Sequence, residues 1–259
     1  MSEIALVLVA GAVAGTLNAV GSGGTFVALP ALVAAGLSPA TANASSTVAL
    51  VPGALAGAWV HRRQLTTVGG TSTTALTSVS LVGGVLGAGP LLTLPTDSFG
   101  AAVPWLLAFA TLVLAFGRRV SRALSAATER PAGAGMGPRA LLIAQFVLAV
   151  YGGYFGGAVG TMMLALWSVG PGLDTAAGNP MRMAQVGAVC LGATALFLVA
   201  SDALGTPLLL LAMLLGGVAG GFAGAHLARR LPARPLRGTV LTIAVTMTVL
   251  YFLRGTGGG

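Results

Sequence analysis

Long apolar runs separated by short polar segments dominate the chain. About 20 consecutive apolar residues cross the hydrocarbon core of a bilayer as a helix, and several runs are long enough for one or two such helices. The pattern predicts an all-α, polytopic transmembrane helical bundle. The stretches that contain no Asp, Glu, Lys or Arg are 4–60, 64–96, 98–117, 140–173, 183–201, 203–225 and 238–253.

An internal repeat divides the chain into two halves. Residues 15–43 align without a gap with residues 151–179. The repeat predicts a first transmembrane unit over 1–117 and a second over 140–259. Between them, the polar segment 118–139 contains five Arg and is expected to be a surface linker. The alternative is chance similarity between two stretches rich in Gly and Ala. The matched pairs are Gly21 and Gly157, Gly24 and Gly160, Thr25 and Thr161, Gly36-Leu37 and Gly172-Leu173, Ala40 and Ala176, and Asn43 and Asn179.

Each half has the same predicted layout, a glycine-broken helix pair followed by three membrane-spanning helices. The broken pair is either one interrupted helix or a hairpin of two shorter helices. If the pair runs in and back, each half has an odd number of passes. Eleven of the 13 Arg then lie on one side of the membrane, as the positive-inside rule requires of the cytoplasmic side. An odd number also makes the two units inverted repeats, a recurring transporter architecture.

Composition excludes several classes of protein. Charged residues make up 7% of the chain, against about 25% in soluble domains. The net charge of +8 comes entirely from Arg in short connections, so it indicates membrane orientation rather than nucleic-acid binding. With five acids and two His, neither a metal site nor a catalytic triad is expected, and no cofactor motif is present. The chain is therefore not expected to be an enzyme.

The two glycine-rich breaks are the first candidate binding elements. Broken backbone at membrane depth leaves amide groups that lipid cannot satisfy, and it is tolerated where it lines a cavity or binds a ligand. A helix that begins there presents free N–H groups and a positive dipole end, which favours an anion. The alternative is that the glycines only allow close helix packing. The candidate residues are Gly21, Ser22, Gly23, Gly24 and Thr25 in the first break, and Gly157, Gly160 and Thr161 in the second.

Paired asparagines supply the second set of candidates. Asn43 and Asn179 each precede an apolar run, as a helix N-cap does, and Pro180 suits the first helical position. Arg182 is then expected in a first helical turn, where a cation is unfavourable unless an anion lies beside it. The alternative is an arginine that extends to the membrane interface. The candidates near the two asparagines are Ser46 and Thr47 in the first half, and Arg182 and Gln185 in the second.

The residues of the first half resemble the TauE/SafE sulfite exporter family. The resemblance rests on the glycine cluster 21–24, an apolar run that ends at Pro30, and the motif Gly36-Leu37-Ser38-Pro39 followed by Ala42 and Ser45. It extends over nearly the whole chain. It implies transport of sulfur-containing anions such as sulfite and sulfoacetate, or of carboxylates. The second half has Asp174-Thr175 in place of Ser38-Pro39, so the two half-sites are not expected to be equivalent.

The sequence therefore predicts a secondary transporter of a small organic or sulfur-containing anion in the plasma membrane, with linker 118–139 in the cytoplasm. Two alternatives are a passive anion channel and a non-transporting membrane assembly subunit. A proton is a candidate coupling ion, for which His61 and His226 could titrate. Besides membrane lipid and the anion, a second copy of the chain is a candidate partner. Nucleic acid is not.

Overall fold

The structure, a computed structural model, is a bundle of ten α-helices over its described residues, which are 2–21, 23–127, 136–173, 175–201, 204–228 and 233–256. One short 3-10 helix, Arg62–Gln64, follows α3. The predicted all-α class is confirmed. The helices are α1 Ser2–Gly21, α2 Thr25–Ala34, α3 Pro39–Val60, α4 Thr73–Thr93, α5 Thr96–Ala127, α6 Pro138–Tyr154, α7 Val159–Val169, α8 Thr175–Ala200, α9 Pro207–Ala228 and α10 Ala233–Thr256.

Five of these helices are long and apolar enough to cross a membrane, within the described ranges. They correspond to stretches of α1, α4, α5, α8 and α9. Large apolar side chains on their outer faces, such as Val199 and Trp105, are mostly exposed, as lipid-facing residues are. The chain is therefore a multi-pass membrane protein.

The order of helices repeats, because α6 to α10 follow the same sequence of long and short elements as α1 to α5. The two Gly-Leu pairs of the repeat have the same structural role. Gly36 and Gly172 both have positive φ angles, +95° and +72°, just after the short helices α2 and α7. The N–H of Leu37 bonds to the carbonyl of Leu32 at 3.1 Å, and closes the end of α2. Glycine is favoured at such a helix end because it has no Cβ to clash.

Each glycine break is the turn of a helical hairpin. At the first break, a Cβ on Gly24 would lie 2.7 Å from the carbonyl oxygen of Ala14, so the chain has turned back onto α1. At the second, the N–H of Met136 bonds to the carbonyl of Gly170 at 3.4 Å, which closes α7 back onto the beginning of α6. Of the two arrangements that the sequence left open, the structure has the hairpin.

The equivalent helices α3 and α8 run in opposite directions. Gly57 of α3 lies beside Met183 of α8. Leu55, which precedes Gly57 on α3, lies beside Gly187, which follows Met183 on α8. These two equivalent helices are therefore antiparallel. Helices α1 and α3 both pack along α9. Gly11 of α1 lies against Met213, and Gly53 of α3 lies against Gly217 and Gly221.

The helices form two bundles that exchange one helix between the halves. The first bundle contains α1, α2 and α3 with α9 of the second half, and the second bundle contains α6, α7 and α8 with α4 of the first half. Packing of α3 against α8 joins the bundles, and α5 and α10 pack on each other outside them. Glycines line the exchanged pairs, which lets the helix backbones approach closely.

Candidate functional site

Arg182 is a buried cation beside the first glycine break. Only 3% of its surface is exposed. Its Nε donates to Oδ1 of Asn179, one turn earlier on α8, at 2.8 Å. Its Nη2 donates to the carbonyl oxygen of Ala19, near the end of α1, at 3.4 Å. These bonds hold the guanidinium of the second bundle against the broken helix of the first.

A cavity of about 30 Å³ lies at this seam between the two bundles. Among the described residues that line it, Arg182 is the one with a charge. A space of this size admits about two water molecules. Its walls are Gly15, Asn18, Ala19, Leu50, Gly53, Ala54, Arg182, Met183, Val186 and Gly217.

Asn18 is a lining residue that the sequence analysis missed. Its Oδ1 accepts the backbone N–H of Gly24 at 3.0 Å, across the turn of the first hairpin. The bond fixes the position at which α2 begins, beside the cavity that Arg182 also lines. The signal was an amide side chain inside an otherwise apolar run. It was overlooked because the repeat pairs Asn18 with Tyr154, so no symmetric match drew attention to it.

Asn43 lies at the other break. Its Nδ2 donates to the carbonyl oxygen of Tyr154, the last residue of α6, at 2.9 Å. The chain then turns through Gly156 and Ala158, whose φ angles are +80° and +59°, before α7 begins. The backbone of Ala158 is in the left-handed region, where residues other than glycine are uncommon. Asn43 therefore bonds to the helix that ends at the second break, as Arg182 bonds to the helix that ends at the first.

The predicted N-cap positions of the two asparagines are wrong. Helix α3 begins at Pro39, with Ser38 as the N-cap whose Oγ accepts the N–H of Thr41 at 3.2 Å. Helix α8 begins at Thr175. Asn43 and Asn179 thus lie inside their helices, at the beginning of the second turn. Serine before proline satisfies a helix N-terminus by itself, and this local signal outweighs the apolar pattern on which the prediction rested.

The two asparagines lie at different depths in the bundle. Because Met183 is level with Gly57, Arg182 and Asn179 lie near the last turn of α3, whereas Asn43 lies near its first turn. The helix rise puts Asn43 roughly 21 Å from the level of Gly57. The breaks themselves approach each other, since Oγ1 of Thr25 is 3.6 Å from where a Cβ of Gly156 would be.

The remaining candidates of the two breaks have varied surroundings. Gly23 is buried next to Val240, and Gly157 next to Phe155 and Ala110. Gly160 is buried in the first turn of α7, and Thr161 is partly exposed on the same turn. Gly21 ends α1. Ser22 lies outside the described residues. Whether these residues contact an anion stays a prediction.

Ser46 and Thr47 use their hydroxyl groups within α3. Both donate to the backbone carbonyl of Asn43, each at 2.9 Å. These bonds are the ordinary way in which a hydroxyl side chain is satisfied inside a helix. An anion could bind these two hydroxyls only if they released this carbonyl.

Gln185 belongs to a buried polar network in the second bundle. Its Oε1 accepts from Ser80 at 2.9 Å, and its Nε2 donates to Thr77 at 3.1 Å. Ser80 in turn accepts from Gln145 at 2.9 Å, and Trp167 donates to Gln145 at 3.2 Å. The network ties α4, α6, α7 and α8 together one turn from Arg182. In this arrangement Gln185 positions α8.

We expect Gln185→Leu to lower stability without weakening anion binding. The substitution removes this partner from the buried Ser80 hydroxyl and from the half-buried Thr77 hydroxyl, and the loss at the buried group costs about 1–3 kcal/mol. The thermal midpoint of the purified protein should fall, while the dissociation constant for a bound anion stays the same. A weaker affinity with an unchanged midpoint would instead place the amide in the binding site.

The two histidines lie at the C-terminal ends of α3 and α9. Nδ1 of His61 is 3.0 Å from the carbonyl oxygen of Gly57, and Nδ1 of His226 is 2.9 Å from that of Phe222. Each ring therefore bonds to the preceding turn of its own helix, α3 or α9. Their predicted part in proton coupling stays a prediction.

Fold and site together define a polytopic membrane protein with a buried cation at a break in a transmembrane hairpin. The family model described as Sulfite exporter TauE/SafE matches residues 6–251. The chain belongs to this family of membrane transporters, as the sequence resemblance implied, and it is not an enzyme. No curated protein and no solved structure is significantly similar to it.

Proposed function

We propose that this protein is a secondary transporter that moves a small sulfur-containing or carboxylate anion across the plasma membrane by alternating access. The observation that supports it best is Arg182, a buried guanidinium that lines a cavity between two helical bundles. An ionisable residue at membrane depth is costly and usually functional. Membership of the sulfite exporter family makes sulfite and sulfonates the first substrates to test.

The chemistry of the cavity suits an oxyanion. A guanidinium presents its N–H groups in a planar fork that matches two oxygens of a carboxylate or sulfonate. Asn18, which also lines the cavity, bonds to Gly24 at the N-terminus of α2, so the positive dipole end of this helix lies one side chain away from the cavity. Both contributions act in a low-dielectric setting, in which electrostatic attraction is stronger than in water.

The arrangement of the bundles supports alternating access. The cavity has residues of α1, α3 and α9 on one side and of α8 on the other. Its volume of about 30 Å³ is too small for sulfite, so the anion enters when the bundles separate at this seam. Because α4 and α9 are exchanged, the moving units are the two bundles rather than the two sequence halves.

The opposite directions of equivalent helices support an inverted repeat. The same directions bring the ends of α3 and α9, with Arg62, Arg63 and His226, to one end of the molecule. The positive-inside rule assigns this end to the cytoplasm. We propose that linker 118–139 lies on that side.

The proposed function predicts that anions stabilise the purified protein. A ligand at 100 times its dissociation constant adds about 2.7 kcal/mol to the free energy of unfolding. Thermal unfolding would be measured with sulfite, sulfoacetate, sulfate, thiosulfate and small carboxylates, with chloride as the ionic-strength control. At least one oxyanion should raise the midpoint well above the chloride value.

Flux in proteoliposomes then separates a carrier from the two alternatives. A carrier gives saturable uptake that is accelerated by unlabelled anion on the opposite side, whereas a channel shows no such exchange. An assembly subunit gives neither binding nor flux. If no oxyanion shifts the midpoint and none is transported, the proposal is wrong.

A further inference from the structure

We infer that the second break is a separate subsite, which accepts a hydrogen bond from a protonated oxygen of the transported anion. The inference rests on the proposed function and adds a substrate class to it, namely singly protonated oxyanions. Its residues are Asn43 of α3, Tyr154 at the end of α6 and the first turn of α7. The distance along α3 separates it from Arg182, so one small anion visits the two positions in turn.

The side chain of Asn43 has a fixed orientation. It is 1% exposed, and its Nδ2 donates to the Tyr154 carbonyl at 2.9 Å. A carbonyl can only accept, so the nitrogen must face Tyr154 and the oxygen must face the other way. Within the described part of the chain, this Oδ1 is buried and has no hydrogen-bond partner. Buried polar atoms are nearly always bonded, so we assign the missing donor of this oxygen to the ligand.

Nearby hydroxyls do not supply the missing donor. Ser46 and Thr47 both donate to the backbone carbonyl of Asn43, so their protons are already used. The donor must therefore come from outside this helix.

The two halves differ at this atom. In the second half, the equivalent oxygen of Asn179 accepts from Nε of Arg182. The residue of the first half that aligns with Arg182 is Ser46, whose hydroxyl turns back to the helix. One asparagine oxygen is thus satisfied by a cation of the protein, and its counterpart is left for a donor on the ligand.

The break also offers donors of its own. The carbonyl of Ala158 accepts from Thr161 and Met162 at 2.9 and 3.1 Å, which begins α7. The N–H groups that precede them in the first turn have no acceptor within the helix. These groups form the positive end of the dipole of α7. A site with amide donors and one amide oxygen complements an anion that has both bare and protonated oxygens.

A matched pair of probes tests this inference. Methylphosphonate at mildly acidic pH and methanesulfonate are both monoanions of similar shape, and only the first bears an O–H. Each would be titrated as a competitor of bound sulfite on the purified full-length protein. We expect methylphosphonate to bind about 10-fold more tightly, because a site built for a hydroxyl discriminates against the analogue that lacks it.

Two variants assign the preference to its atom. Asn43→Ala should reduce the ratio of the two affinities to about 1. Asn179→Ala, the matched control, should change both affinities but keep their ratio. An equal affinity of the wild-type protein for both probes would overturn the inference without any variant, as would a preference that survives in Asn43→Ala. If no oxyanion binds the wild-type protein, the proposed function has failed instead.

Discussion

Arg182→Ala is expected to remove about half or more of the anion-dependent stabilisation seen at 100 times the wild-type dissociation constant, and to reduce transport at least 10-fold. Hydrogen bonds to charged groups contribute about 1.5–3 kcal/mol, which corresponds to a loss of roughly 10- to 100-fold in affinity. Sulfite binding and sulfite flux would be measured on purified protein and in proteoliposomes. Arg182→Lys should recover part of the affinity, since an ammonium keeps the charge but loses the planar fork.

The interpretation depends on the variant being folded. Asn179 and Ala19 lose the guanidinium that bonds to them, so the thermal midpoint of each variant in chloride must be recorded. Arg62→Ala is the matched control, because this arginine is exposed and stacks 4.2 Å above the ring of Trp59. Unchanged binding and flux in a folded Arg182→Ala protein would contradict the proposed role.

The sequence was sufficient to predict the all-α class and the membrane-spanning helices. Uncharged runs of membrane length predicted the all-α bundle because lipid leaves few other ways to satisfy the backbone. The Gly36 and Gly172 pair was informative for a similar reason. Glycine is strongly favoured at the positive φ angles that end α2 and α7, because it has no Cβ to clash. A constraint of this kind acts locally, so it leaves a mark in the local sequence.

The arrangement of the helices into two bundles could not be predicted from the local sequence. Pairing α1 with α9 and α4 with α6 depends on contacts between segments far apart in the chain. For the same reason, the apolar pattern gave no indication of the link from Gln185 to Gln145. The wrong beginning predicted for α3 has a local cause instead, because Ser38 and Pro39 start this helix. The predicted site was accordingly divided. Arg182 and Asn179 join the first break, and Asn43 joins the second.

Gly87→Ala is expected to produce the largest loss of stability among single methyl additions on α4. A Cβ at this position would collide with the backbone carbonyl group of Val150. It would lie 2.8 Å from the carbonyl carbon of Val150 and 3.0 Å from the backbone nitrogen of Tyr154. All of these are backbone atoms of α6, so no side chain can rotate away. Overpacking of this kind costs about 1–3 kcal/mol or more.

Gly89→Ala is the control, because a Cβ on Gly89, two residues along the same helix, meets nothing within 4 Å. Alanine is the better helix former by about 1 kcal/mol, so this variant should be as stable as the wild type or more so. Thermal unfolding of both variants in the same detergent compares them directly. Equal midpoints would mean that α4 and α6 can separate freely, and the second bundle could then no longer act as one moving unit. A large difference confined to Gly87 would support a rigid exchanged pair, in which motion occurs at the seam between α3 and α8.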